Sequence, residues 1–82
     1  MDLSQVIEKM SEASQDNSMP ARVRRTLDEV AAELRGDDPD TAVKVTTAIY
    51  NLDDIVEDVN ISMHAKTVLW DIISDLESIR GQ

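Results

Sequence analysis

The sequence has no cysteine and no phenylalanine, and only two glycines, two prolines, one histidine, one tyrosine and one tryptophan. Each shortage removes a class of answer. Without cysteine there is no disulfide framework and no thiolate metal site, which suits the reducing cytosol. Gly36 and Gly81 stand alone, so no Gly-rich phosphate loop is present. The scarcity of aromatic residues and glycine leaves little material for strands and hairpin turns, and the expectation is an all-α protein. No apolar run approaches the roughly 18 residues of a membrane-spanning helix. The opening MDLSQVIEKM has neither the basic n-region nor the apolar core of a signal peptide.

Positive charge is also scarce. Eight Lys and Arg against seventeen Asp and Glu give a formal net charge of -9. Such a field repels phosphate, which weighs against non-specific binding to nucleic acid or an anionic membrane. The 82 residues predict a single domain, 1–82. A chain of this size buries only about 60% of its unfolded surface and has no room for a large active-site cleft.

What the chain does contain is a repeat. At an offset of 42 residues Ile7 falls on Ile49, Asp16 on Asp58, Leu27 on Leu69 and Leu34 on Leu76. Residue class is kept between Leu3 and Val45, Met10 and Leu52, Ala13 and Ile55, Arg24 and Lys66, Val30 and Ile72, and Glu33 and Asp75. A repeat of this length reads as one helical hairpin made twice, about 2–36 and about 38–80.

The helices follow from apolar spacing. Leu3, Val6, Ile7, Met10 and Ala13 form one stripe over roughly residues 3 to 15, with Asp2 and Gln5 as a capping box. Val23, Leu27, Val30, Ala31 and Leu34 form the second, with Ser18 as its expected cap and Gly36 as a left-handed stop. Asp38 is the expected cap of the third helix, with Pro39 in its first turn, and its stripe is Ala42, Val45, Ala48, Ile49, Leu52, Ile55 and Val56. Asn60, the repeat counterpart of Ser18, is the expected cap of the fourth, whose stripe is Ala65, Leu69, Ile72, Ile73, Leu76 and Ile79. Neither hairpin can bury its stripe alone. Packed face to face they give a four-helix up-and-down bundle with internal two-fold symmetry. The alternative is a two-repeat HEAT-like stack, but solenoids usually need at least three repeats.

The segments DNSMPARVRR, AIYNLDDIVED and MHAKTVLWDIISDLESIR together resemble a group of short archaeal proteins classed only as an uncharacterised family. The resemblance covers nearly the whole chain and implies a cytoplasmic four-helix protein without an assigned activity or catalytic residue. The chain departs from that pattern at Val59 and Ser62, where prolines are expected, and at Lys66, where arginine is more usual.

Charges sit against the helix dipoles. Arg22, Arg24 and Arg25 lie near the start of the second helix, His64 and Lys66 near the start of the fourth, and acids crowd the preceding helix ends. Pairing within each hairpin, Asp16 with Arg24 and Asp58 with Lys66, reconciles these placements at about 0–1 kcal/mol per pair. The functional alternative is an anion or RNA-backbone site at Arg22, Arg24 and Arg25. A third reading is weak divalent-metal binding by Asp54, Glu57 and Asp58. No Glu-x-x-His motif supports a dedicated bundle metal site. His64 lacks any nucleophile partner, and no catalytic residue or cofactor is assigned.

The most informative pair is Tyr50 and Trp70. Their repeat counterparts are Glu8 and Asp28, so both should lie off the core stripe, near one level of the second hairpin. Such residues are enriched in interface hot spots; the alternative is that Trp70 widens a buried stripe and Tyr50 packs on it. The sequence therefore reads as a cytoplasmic, non-catalytic interaction module presenting Tyr50 and Trp70 to a second copy or a protein partner. An RNA adaptor is the less favoured alternative, and no membrane association is expected.

Overall fold

Asp2 begins the first helix by satisfying its free amides. Its carboxylate accepts from the Gln5 N–H at 3.0 Å while the Gln5 side chain accepts from the Asp2 N–H at 2.8 Å, the reciprocal capping box expected from the sequence. The computed structural model describes residues 2–81. Four helices follow: α1 (Leu3–Ser14), α2 (Ala21–Leu34), α3 (Thr41–Val56) and α4 (Met63–Arg80). Among the described residues there is no strand, and no helix is long and apolar enough to cross a membrane.

Each helix packs on its two chain neighbours, and α1 packs on α4 to close the ring. A HEAT-like stack would instead set α1 beside α3 and α2 beside α4, which are the diagonals here. The result is the four-helix up-and-down bundle, 34 × 20 × 19 Å, one helix long and two helices thick. One core runs through it, with Met10, Leu27, Leu52, Leu69, Ile72 and Leu76 among its fully buried side chains.

The 42-residue offset is visible in the structure. α1 and α3 end at the equivalent residues Ser14 and Val56, and α2 and α4 begin at the equivalent residues Ala21 and Met63. Val6 and Ala48, Met10 and Leu52, Val23 and Ala65, Leu27 and Leu69 are all buried, pair by pair. The two hairpin turns match as well: Asp16 accepts from the Ser18 N–H at 2.9 Å and Asp58 from the Asn60 N–H at 2.8 Å.

Those turn bonds correct the expected caps. Ser18 and Asn60 face back to the preceding aspartate and cap nothing ahead. Instead α2 starts behind Pro20 with no side-chain cap, and the Ser62 hydroxyl caps α4 by accepting from the Ala65 N–H at 3.1 Å. In the 35–40 link, Asp38 accepts from the Asp40 N–H, which leaves Asp40 to cap α3 through the Val43 N–H at 3.1 Å and leaves Pro39 outside the helix. Gly36 is not left-handed. The Lys44 ammonium donates to the Gly36 and Leu34 carbonyls at 2.9 and 3.4 Å, so these end groups of α2 are met without a glycine cap. Ala42 is exposed rather than part of the core stripe. Met19 and Ile61, equivalent residues within the turns, are buried and plug one end of the bundle.

Candidate functional site

Tyr50 and Trp70 are 67% and 51% exposed. Helical register explains why. The buried positions of α3 and α4 form inward stripes, and at 100° per residue Tyr50 and Trp70 fall on the outward side of each. Val43 lies seven residues, or two turns, before Tyr50, and Met63 stands in the same relation to Trp70; these are 53% and 67% exposed. The second hairpin thus carries two apolar lines on its outer surface. The first carries the exposed, charged Glu8 and Asp28 at the positions of the two aromatics.

The charged residues are organised differently from the sequence expectation. Asp16 does not pair with Arg24, nor does the Asp58 carboxylate pair with Lys66. The Oδ1 atom of each aspartate is held by its own turn, and Oδ2 faces the other hairpin. There Asp58 meets the Arg22 guanidinium, while Asp16 lies 3.8 Å from His64 Nε2. Arg22 and His64 are repeat equivalents, so each aspartate faces the same position of the opposite hairpin, in hydrogen-bonded contact at Arg22 and at a longer approach at His64. The Ser18 hydroxyl and amide hold the Asp16 carboxyl below the usual aspartate value, with His64 adding to the effect. The Asn60 amide, followed by the charge of Arg22, does the same for Asp58.

Lys66 places its ammonium on backbone carbonyls, at 2.6 Å from Val56 O and 3.2 Å from Asp58 O, and so closes the end of α3. Its counterpart Arg24 reaches the Asn17 side-chain oxygen at 3.4 Å, with Nε buried and unpartnered. Arg25 is exposed and has no polar side-chain partner among the described residues. The three arginines of the anion reading therefore do not converge on one point. Among the described residues, no three carboxylate or histidine side chains are gathered as a metal ion requires, and Asp54, Glu57 and Asp58 form no such group.

Sequence reasoning missed one cluster. Lys9 on α1 spans to α4, where its ammonium meets Asp71 and, at 2.7 Å, Asp75. These carboxylates raise the Lys9 pKa above its ordinary value, Asp71 having the larger effect. The spacing of Asp71 and Asp75, four apart on one helix face, was the available signal.

The profile of the uncharacterised protein family UPF0147 matches residues 1–79. A UPF0147 protein of Methanothermobacter thermautotrophicus is 42% identical over 77 residues, covering 94% of this chain and 76% of its own. One from Pyrococcus furiosus is 30% identical over 79 residues, covering 95% of this chain and 85% of its own. Among solved structures, a UPF0147 protein of Thermoplasma acidophilum superposes with a TM-score of 0.87 at 30% identity, covering 93% of this chain and 89% of that one. A second crystal structure, of a protein of unknown function, gives a TM-score of 0.85 at 34% identity, covering 94% and 88%. The resemblance read from the three sequence segments and the all-helical architecture agree with these matches.

Proposed function

Taking as premise that this chain belongs to the uncharacterised protein family UPF0147, we propose that it acts in the cytoplasm as a non-catalytic protein-interaction module whose contact face is centred on Tyr50 and Trp70. One observation carries the reading: two large aromatic side chains lie outside the core, at positions where the otherwise equivalent hairpin has Glu8 and Asp28. Neither side chain is part of the buried core. Burying such side chains against a partner is worth about 1.5–3 kcal/mol apiece, enough to make them anchors. The occupant of the face is a protein, a second copy or a different chain.

The anion or RNA reading has less support, since Arg22 is held by Asp58 and the net charge is -9. The metal reading has less still, because its carboxylates are not gathered.

Sedimentation and crosslinking of the wild type beside Trp70→Ala and Tyr50→Ala test the face. Loss of self-assembly, or of a captured protein, with helical circular dichroism unchanged is the expected result. An identical assembly state and an identical partner set in all three proteins would remove the reading.

A further inference from the structure

The internal repeat allows each groove of the bundle to be compared with its twin. Between α1 and α4, the groove is crossed by Lys9, with its ammonium on Asp71 and Asp75. The 42-residue offset carries these three residues onto Asn51, Glu29 and Glu33. The structure brings the second set together too. Asn51, Glu29 and Glu33, with Asp54, Arg22 and Thr26, line a cavity of about 220 Å³ between α2 and α3. Several positions differ between the twin grooves, Arg22 for His64 and Thr26 for Val68 among them, and one difference removes the bridging cation. Where the first holds an ammonium on a four-carbon stem, the second has only the short, uncharged side chain of Asn51.

The consequence is an unmatched acidic groove. None of Glu29, Glu33 and Asp54 is in a salt bridge among the described residues. Arg22 stands at the groove but is engaged by Asp58. The carboxylates are not arranged to enclose a metal ion. They do repeat the i, i+4 pair on one helix that receives an ammonium in the other half of the molecule.

We infer that the α2–α3 groove receives a lysine side chain from a different protein, one that docks on α3 with a basic segment bearing an apolar anchor. Two further observations favour a different, basic protein over a second copy. First, a second copy has no lysine to offer. Lys9 is held by Asp71 and Asp75, Lys44 by the carbonyls of Leu34 and Gly36, and Lys66 by those of Val56 and Asp58. These are the only lysines of the chain. Second, the net charge of -9 opposes a second copy and attracts a basic one. α3 is common to both features: Asn51 and Asp54 line the groove, and Tyr50 is exposed beside them. The inference rests on the reading above in that the occupant belongs to a protein.

The repeat supplies the test. Asn51→Lys restores in the second groove what Lys9 supplies in the first, and fills it from within. The probe is a fluorescein-labelled 14-residue amphipathic peptide of leucine and lysine, with a lysine-acetylated version for comparison, measured by anisotropy at low salt on the full chain. Asn51→Lys should weaken binding about tenfold, and Glu29→Gln with Glu33→Gln should do the same. Ser78→Lys, which adds the same charge at an exposed site on α4, should change it less than about twofold. Acetylation should remove the sensitivity to Asn51→Lys. Filling the groove should also raise the melting temperature by about 2–5 °C. Equal effects of Asn51→Lys and Ser78→Lys, or no peptide binding by the wild type, overturn the inference. So does tight binding of spermidine without peptide binding, which would assign the groove to a free polyamine. Loss of peptide binding in Trp70→Ala but not in Asn51→Lys sinks the groove and keeps the aromatic face; the reverse pattern sinks the aromatic face and keeps the groove.

Discussion

The first hairpin presents charged residues where the second exposes aromatic ones, and of the two grooves between the hairpins only α1–α4 is bridged by an ammonium among the described residues. Glu8 and Asp28 in the first stand where the second exposes Tyr50 and Trp70, and Lys9 stands where the second has Asn51. Inside the bundle the two halves agree: Leu27 and Leu69 are both fully buried, as are Met10 and Leu52. The difference shows where each kind of constraint acts. A shared core ties the halves to each other, because a change of volume on one side is felt by the other. Outward positions carry no such tie and record a different demand.

Core substitutions carry the largest expected effect. Leu27→Ala and Leu69→Ala should each cost about 2–5 kcal/mol, read by urea unfolding. The two losses should agree within about 1 kcal/mol if one core serves both halves. A cost confined to one hairpin would mean the halves unfold separately.

Lys9→Met comes next and should cost about 0.5–1 kcal/mol, since the cluster is partly exposed and screened by solvent. Asn51→Met should cost less, having no ammonium to remove. The pH dependence gives a second reading of the same cluster. The folded pKa of Lys9 lies above its ordinary 10.5, so its contribution is complete below that pH and is lost as pH rises through the folded value. Wild type and Lys9→Met should therefore converge in melting temperature at strongly alkaline pH.

Tyr50→Glu with Trp70→Asp converts the outer surface of the second hairpin into that of the first. Stability should fall by about 1 kcal/mol, mostly through the half-buried Trp70, while association through that surface disappears in sedimentation. The smallest effect concerns the paired turns. Asp16 and Asp58 both titrate below the ordinary 3.8, so what they contribute is present above that pH and is lost as pH falls through their folded values. Carboxyl NMR titration should find both depressed, and Asp16→Asn with Asp58→Asn should flatten the acid limb of the stability curve.

The helices and most of the core were readable because burial imposes a period. Val23, Leu27, Val30 and Leu34 cannot all face inward in any other conformation. The caps were harder to read. SQDNSMP and GDDPD each offer several side-chain oxygens within a few residues, and the choice among them depends on which backbone amide turns toward which carboxylate. Met19 and Ile61 follow no helical period, though their equivalence across the repeat was available as a signal. The ion pairs were misassigned for a tertiary reason. Asp16 and Asp58 use one oxygen within their own turns, and only the arrangement of the two hairpins decides what the other oxygen meets. Tyr50 and Trp70 were legible as outliers, since an aromatic residue replacing a charged repeat partner conflicts with a solvated face. The groove between α2 and α3 was not, because its cue is the lack of a lysine rather than the presence of anything.

The link of residues 35–40 has a consequence larger than its size. Two identical, untethered hairpins assembling into this bundle would be bound by symmetry to treat both grooves alike, filled in both or open in both. Joined in one chain, each half becomes free to drift from its sibling without forfeiting it as a folding companion. A short covalent tether thereby turns a symmetric object into one with a front and a back.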